Sequence, residues 1–141
     1  MAPVSSLDRS RVDRSIDLAL FAVAALCAAT TLWFSFGAPP PGASLFPGAD
    51  KVGHAIAYFA TTLSFLLAAV WRPRGGQRRF SRSGWLFPVA AVLAGVAIEI
   101  IQGLDPPRSA EVGDVVAEII GAGIATALFA LVRWRFMRHR G

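Results

Sequence analysis

Four long apolar runs constrain this chain more than any other feature, and Pro, Gly or basic residues bound each of them. The runs lie at about 16–36, 50–71, 85–102 and 112–134. Each is close to the roughly 20 residues that an α-helix needs to cross a bilayer. Because backbone polar groups in lipid must be hydrogen-bonded internally, such runs predict helices. The sequence thus predicts an all-α polytopic membrane protein, a four-transmembrane-helix bundle forming a single domain over 1–141.

The composition also indicates a chain that is solvated by lipid. Hydrophobic residues make up 55% of it and charged residues only 16%, whereas soluble domains carry about 25% charged residues. A soluble protein with four buried core helices is a poor alternative, because no amphipathic segment remains to cover them. The net charge of +5 does not indicate nucleic acid, since the basic residues flank the apolar runs. The predicted partner is therefore the lipid bilayer, and no nucleic acid is expected.

Basic residues are distributed unevenly between the two sides of the predicted bundle. Of the 14 Lys and Arg residues, 12 fall in the N-terminal segment, the middle loop and the C-terminal tail. Only Lys51 and Arg108 belong to the opposite side. Short loops rich in Lys and Arg remain in the cytoplasm. Both termini and the middle loop are therefore predicted to be cytoplasmic.

Polar residues collect near the outer ends of the second, third and fourth runs, at spacings of three or four residues that place them on one helix face. Ionisable groups inside a span are costly, so they tend to face one another or water and to be functional. We predict an outward-facing polar pocket with Glu118 at its floor. The alternative is a structural clamp in which Lys51 or Arg108 pairs with an acid of a neighbouring helix. The candidate binding residues are Asp50, Lys51, His54, Tyr58, Glu99, Gln102, Arg108, Asp114 and Glu118.

Small residues recur at every fourth position of two runs, which allows helices to approach closely. In the third run, Ala91 and Gly95 lead directly to Glu99, so close packing and the polar groups are expected to share a face. We expect the stripe of the fourth run to pack against the third helix, so that Gly121→Leu would force these two helices apart. This second stripe consists of Gly113, Ala117, Gly121 and Ala125.

Established catalytic motifs are missing from the sequence. It has no H-E-x-x-H, no G-x-S-x-G elbow and no phosphate-binding loop. The two histidines and the single cysteine lie in separate segments, which argues against zinc. A divalent cation held by Glu99, Asp114 and Glu118, or proton transfer among carboxylate, His and Tyr groups, stays open. We predict no metal and no cofactor, and no enzymatic activity is indicated.

Three motifs, in this order, resemble those of the VanZ-like family of small bacterial membrane proteins. The segment DKVGHAIAYF from Asp50 is similar to that family's D-K-x-x-H-x-x-x-Y-F. The segment EIIQ from Glu99, followed by PRS at 107–109, resembles its E-x-x-Q motif. Asp114 followed by Gly121 resembles its D-x-x-x-N-x-x-G, with Glu118 where the family has Asn. The similarity covers roughly 50–123, about half of the chain.

The resemblance implies a multi-pass protein of the bacterial cytoplasmic (inner) membrane that belongs to the cell envelope. It further implies binding of a polar or lipid-linked envelope component at the outer leaflet and a contribution to glycopeptide resistance of the teicoplanin type. Two alternatives remain: a small proton-coupled transporter that uses Glu99 or Glu118, and a membrane enzyme acting on a lipid-linked substrate. The apolar inner halves of the runs disfavour the transporter, and the enzyme has no evident nucleophile.

Overall fold

Helices form almost all of the structure, a computed structural model that describes residues 6–36, 45–70, 73–74, 77–78, 82–104 and 111–138. Between α2 and α3 lie a two-residue antiparallel strand pair, in which Pro73 pairs with Arg78, and a 3-10 turn at Arg82–Trp85. The prediction of an all-α, four-helix membrane protein is confirmed. The helices are α1 (Ser6–Phe36), α2 (Ala49–Val70), α3 (Leu86–Gly103) and α4 (Val112–Arg138).

Each helix contains a segment that is long and apolar enough to cross a membrane, so the chain is a multi-pass membrane protein. The predicted spans agree with these segments to within two residues at every end. Helix α1 itself begins ten residues before the predicted span. An apolar run predicts the part of a helix that lies in lipid, and the helix can extend beyond that part into water. The membrane-crossing segments are Arg14–Phe36, Ala49–Ala69, Leu86–Gly103 and Val112–Arg135.

Large apolar side chains cover the outside of all four helices. Leu26 on α1, Ile56 on α2, Leu93 on α3 and Ile124 on α4 are each more than half exposed. An apolar surface of this extent is unusual on a soluble monomer. Lipid is its natural solvent, and the polar side chains are accordingly found inside the bundle.

Helix α2 occupies the centre of the bundle and contacts α1, α3 and α4. Its closest approach is to α4, where a Cβ atom on Gly121 would lie 2.1 Å from the carbonyl oxygen of Ala55. A Cβ on Gly113 would likewise meet the side chain of Lys51 at 2.7 Å. The expectation that this stripe packs against α3 is therefore wrong. A stripe of small residues defines a face of one helix, but it does not specify which neighbour fills it.

Short polar side chains join α1 to α2. The hydroxyl oxygens of Thr31 and Thr61 are 3.1 Å apart, and Cys27 Sγ lies 3.6 Å from the Ser64 hydroxyl. Thr31 also donates to the carbonyl of Cys27, one turn back. Hydrogen bonds of this kind hold helices together in lipid, so they fix α1 against the central helix.

The turn before α2 sets the register of that helix. Gly48 has a φ of +85°, a left-handed conformation that is readily adopted only by glycine. The N–H of Ala49 donates to the carbonyl of Phe46 at 3.0 Å, which closes the turn. Asp50 and Lys51 consequently lie in the first helical turn, facing the start of α4.

Candidate functional site

Polar side chains from α2, α3 and α4 meet at one end of the bundle, where α2 and α4 begin and α3 ends. They form two adjoining groups. We call the first the end cluster; it contains Asp50, Lys51, Glu111 and Asp114. We call the second the buried cluster; it contains His54, Tyr58, Glu99 and Glu118.

Lys51 organises the end cluster. Its Nζ atom donates to Glu111 Oε2 at 2.7 Å and to Asp114 Oδ1 and Asp50 Oδ2 at 3.1 Å each. A lysine ammonium group has three N–H donors, so these carboxylates use all of them. The cluster ties α2 to the beginning of α4 and leaves the cation saturated. This geometry is that of the structural clamp considered as an alternative above.

The buried cluster lies one helical turn deeper in the bundle. His54 Nδ1 is 3.2 Å from Glu118 Oε1, across the interface between α2 and α4. On α3, Glu99 Oε2 accepts a hydrogen bond of 3.2 Å from the backbone N–H of Glu111. Glu99 is only 3% exposed and Glu118 only 1%. One donor atom from each of His54, Glu99 and Glu118 lies within 4.8 Å of the other two.

Gly95 on α3 makes room for this cluster. A Cβ atom at this position would lie 2.0 Å from Glu118 Oε2 and 2.7 Å from the Tyr58 hydroxyl. The side chains from α2 and α4 therefore fit only because α3 presents a glycine. Gly95 and Glu99 are both buried on the same face of α3, so the small-residue stripe and the polar groups share that face.

The buried cluster contains more negative charge than its described surroundings neutralise. Within the described part of the chain, Glu99 Oε1 and Glu118 Oε2 are buried without a hydrogen-bond partner. No Lys or Arg of that part forms an ion pair with either residue, and His54 is the one possible positive group. Buried charges without compensation cost several kcal/mol each. A proton, a cation or a ligand must therefore complete this cluster.

A cavity of about 340 Å³ opens between α1 and α2 and reaches the buried cluster at His54. Its volume falls within the range of small-molecule sites. The side chain of His54 is 24% exposed, so it is both a wall of the cavity and a contact of Glu118. The cavity is polar at this end and mainly apolar elsewhere. Its lining residues are Thr30, Thr31, Phe34, Ser35, Asp50, Gly53, His54, Ile56, Ala57 and Tyr58.

The sequence predicted one pocket, whereas the structure divides its residues between two clusters. Gln102 belongs to neither, because its Nε2 atom donates to the carbonyl of Ser35 on α1. Arg108 lies outside the described residues, and its role stays a prediction. The two clusters account for the other predicted positions: Asp50, Lys51, His54, Tyr58, Glu99, Asp114 and Glu118.

Two contributions were not predicted from the sequence. Glu111 joins the clusters, since its side chain binds Lys51 while its N–H binds Glu99. Its spacing of three and seven residues from Asp114 and Glu118 is a signal that could have identified it. The wall formed by α1 was missed as well, because its hydroxyl and aromatic side chains carry no charge.

The fold and the site define a multi-pass α-helical membrane protein with a carboxylate–imidazole cluster at one end of its bundle. Comparisons with family models, with curated proteins and with solved structures find no match to this chain. Its function is therefore inferred from its own geometry and from the sequence motifs described above.

Proposed function

We propose that this chain is a VanZ-like cell-envelope protein of the bacterial inner membrane that binds an amphipathic, lipid-linked envelope component. The polar group of that ligand contacts His54 and Asp50, and its apolar part lies between α1 and α2 against Phe34 and Ile56. The observation that carries the proposal is the cavity itself, whose surface is mainly apolar and which carries ionisable side chains where it meets the two clusters.

The surroundings of the cavity favour a ligand that arrives from the bilayer. Phe34 and Ile56 line it and are also 39% and 62% exposed. These side chains belong to the membrane-crossing segments of α1 and α2. A lipid-linked molecule can therefore enter sideways from the membrane, with its chain remaining in an apolar environment.

The charge of the site selects among polar groups. Among the described residues of the two clusters, carboxylates outnumber the cationic groups, which are Lys51 and His54, and Lys51 is already saturated. An anionic phosphate placed there would be repelled, whereas an amino, amide or hydroxyl group could donate to a carboxylate. We therefore propose that the recognised part of the envelope component is a donor-rich sugar or peptide portion.

Binding explains the bundle interior better than transport does. A proton-coupled transporter needs polar groups along a path through the protein. Beyond Thr62, the buried side chains of the described interior include Leu66, Ala68, Ala69, Ala125 and Phe129, and none of the buried ones is ionisable. The part-buried hydroxyls of Ser64 and Thr126 bind Cys27 and a backbone carbonyl, so we place the ligand and its release on the same side of the membrane.

Photocrosslinking tests the proposed ligand site. A benzophenone amino acid at Ile56 samples the cavity, and the same residue at Leu93 on α3 is the matched control, because the two positions are 62% and 64% exposed. Bulk phospholipid should react at both positions, while an envelope precursor should react at 56 alone. His54→Ala should reduce that specific adduct. Identical adducts at both positions, or an adduct that is insensitive to His54→Ala, would contradict the proposal.

A cellular assay tests the implied role in resistance. Production of the protein in a susceptible bacterial host should raise the teicoplanin concentration that the cells tolerate. His54→Ala, produced to the same level in membranes, should remove the gain. If His54→Ala cells tolerate as much teicoplanin as cells with the parent protein, the proposed site does not cause the resistance.

A further inference from the structure

The buried cluster points to a partner that none of the described side chains supplies. We infer that His54, Glu99 and Glu118 together bind one divalent transition-metal ion. This inference goes beyond the proposed function, because an ion can be measured without any envelope component. The two proposals can therefore fail independently.

Geometry is the first reason for the inference. His54 comes from α2, Glu99 from α3 and Glu118 from α4, and one donor atom of each lies within 4.8 Å of the others. Zinc–ligand bonds of about 2.0–2.2 Å place the donors of a tetrahedral site about 3.4 Å apart. The 3.2 Å separation of His54 Nδ1 and Glu118 Oε1 already matches this spacing. The Glu99 donor, within 4.8 Å of both, would have to move closer to complete the triad.

The unpartnered oxygens are the second and independent reason. Glu99 Oε1 and Glu118 Oε2 are buried, and neither has a hydrogen-bond partner among the described residues. The Tyr58 hydroxyl interacts with Glu118 but makes no hydrogen bond of normal geometry to Oε2. Both oxygens have therefore lost their water without gaining a full hydrogen bond, which costs free energy. A divalent cation removes that cost for both carboxylates together.

The end cluster provides an internal comparison. There, Asp50, Glu111 and Asp114 also bring carboxylates together, and the Lys51 ammonium lies between them at 2.7–3.1 Å. The buried cluster also brings acids together, but no Lys or Arg of the described residues forms an ion pair with them. The end cluster thus neutralises its carboxylates with its own lysine, and in the buried cluster the inferred metal ion would do the same.

The donor set narrows the choice of ion. Mg²⁺ and Ca²⁺ prefer all-oxygen ligands, whereas imidazole nitrogen favours transition metals such as Zn²⁺, Fe²⁺ or Ni²⁺. Three protein ligands leave a further coordination position for water or for a group of a bound molecule. The sequence did not predict this set, because its members come from three helices and share no motif.

Metal binding can be measured directly on the full-length protein. The chain is purified without a histidine tag and with His139→Ala, so that His54 is the one histidine left. Co²⁺ is the probe, because a tetrahedral Co²⁺ site gives intense visible absorption. The wild-type site should bind one Co²⁺, with excess Zn²⁺ displacing it and Mg²⁺ failing to do so. Glu118→Gln and His54→Ala should each weaken Co²⁺ binding at least tenfold.

Asp17→Asn is the matched control, since it removes one acid of α1 that belongs to neither cluster. Its Co²⁺ affinity should equal that of the parent. Because a site variant could fail to fold, each protein is first shown to be monodisperse, and metal-dependent thermal stabilisation is measured as a second readout. Equal binding by the parent and Glu118→Gln, or loss of binding in Asp17→Asn alone, would overturn the inference. So would the absence of saturable binding by the folded parent protein.

Discussion

His54 Nδ1 on α2 lies 3.2 Å from Glu118 Oε1 on α4, at the point where the α1–α2 cavity meets the buried interior. This contact makes His54 the connection between a surface that a ligand can reach and carboxylates that solvent cannot. It also explains why the site needs close packing of three helices, since Glu99 and Glu118 belong to α3 and α4.

Gly95 should be essential to the buried cluster. In Gly95→Ala, the new Cβ would overlap Glu118 Oε2, so we expect the carboxylate or α3 to shift. Ligand crosslinking and Co²⁺ binding should fall severalfold while the protein still folds. Gly123→Ala is the control, because a Cβ there meets nothing within 4 Å. Unchanged crosslinking and unchanged Co²⁺ binding in Gly95→Ala would contradict this requirement for glycine.

Gly121 should be needed for the packing of α2 against α4, and not for ligand binding. A Cβ at this position meets the backbone of Ala55 at 2.1 Å, and backbone cannot rotate away. Gly121→Leu should therefore separate α2 from α4 and destabilise the fold by more than the about 1–3 kcal/mol typical of overpacking. Gly123→Leu, on the open face of the same helix, should keep normal folding yield. Similar yields for both variants, measured by fluorescence size-exclusion chromatography, would refute this packing.

The end cluster should behave as a clamp. Lys51→Met removes the cation shared by Asp50, Glu111 and Asp114. Asp114, whose side chain is only 13% exposed, is left without its charge partner. We expect Lys51→Met to lower the melting temperature, because the mostly buried carboxylate of Asp114 loses its donor, and Lys51→Arg should recover much of that loss. A melting temperature unchanged in Lys51→Met would contradict the clamp.

Orientation is tested by cysteine labelling. The native Cys27 is first replaced by Ala, and single cysteines are then introduced at Ser44, Ser81 and Ser109. The 12-to-2 asymmetry of basic residues predicts that positions 44 and 109 react with an impermeant maleimide in intact cells. Position 81 should react only after the inner face is opened. Labelling of position 81 in intact cells would contradict the predicted orientation.

The sequence predicted the helices well because apolar length alone determines whether a segment can cross lipid. It also predicted that Glu99 and Glu118 would lie inside the bundle, since charge is excluded from the lipid-facing surface. It could not assign partners. Lys51 and His54 are three residues apart on one helix, yet Lys51 binds the end-cluster acids and His54 faces Glu118. That separation depends on helix rotation and depth, which spacing within one helix does not define.

The neighbours of the small-residue stripe were not predictable for a related reason. Gly121 was expected to face α3, the preceding helix in sequence, but it contacts Ala55 on α2. Gln102 is three residues from Glu99, so the sequence grouped the two in one pocket. In the structure, Gln102 donates instead to the carbonyl of Ser35 on α1. Both positions lie on helices with several neighbours, and the periodicity of a helix gives no information about which neighbour is nearest.

Glu99→Gln tests most directly whether the buried cluster is a ligand site or a structural clamp. The amide keeps the shape of Glu99, and its oxygen can still accept the N–H of Glu111, whereas the charge is removed. Crosslinking from Ile56 and melting temperature are measured on the same preparations. A ligand site predicts a melting temperature near that of the parent and loss of the specific adduct. A clamp in which Glu99 pairs with Arg108 predicts instead the loss of a buried ion pair, which costs about 3–5 kcal/mol. The melting temperature would then fall by about 10 °C or more, with adduct formation retained in the folded fraction, and that result would contradict the account.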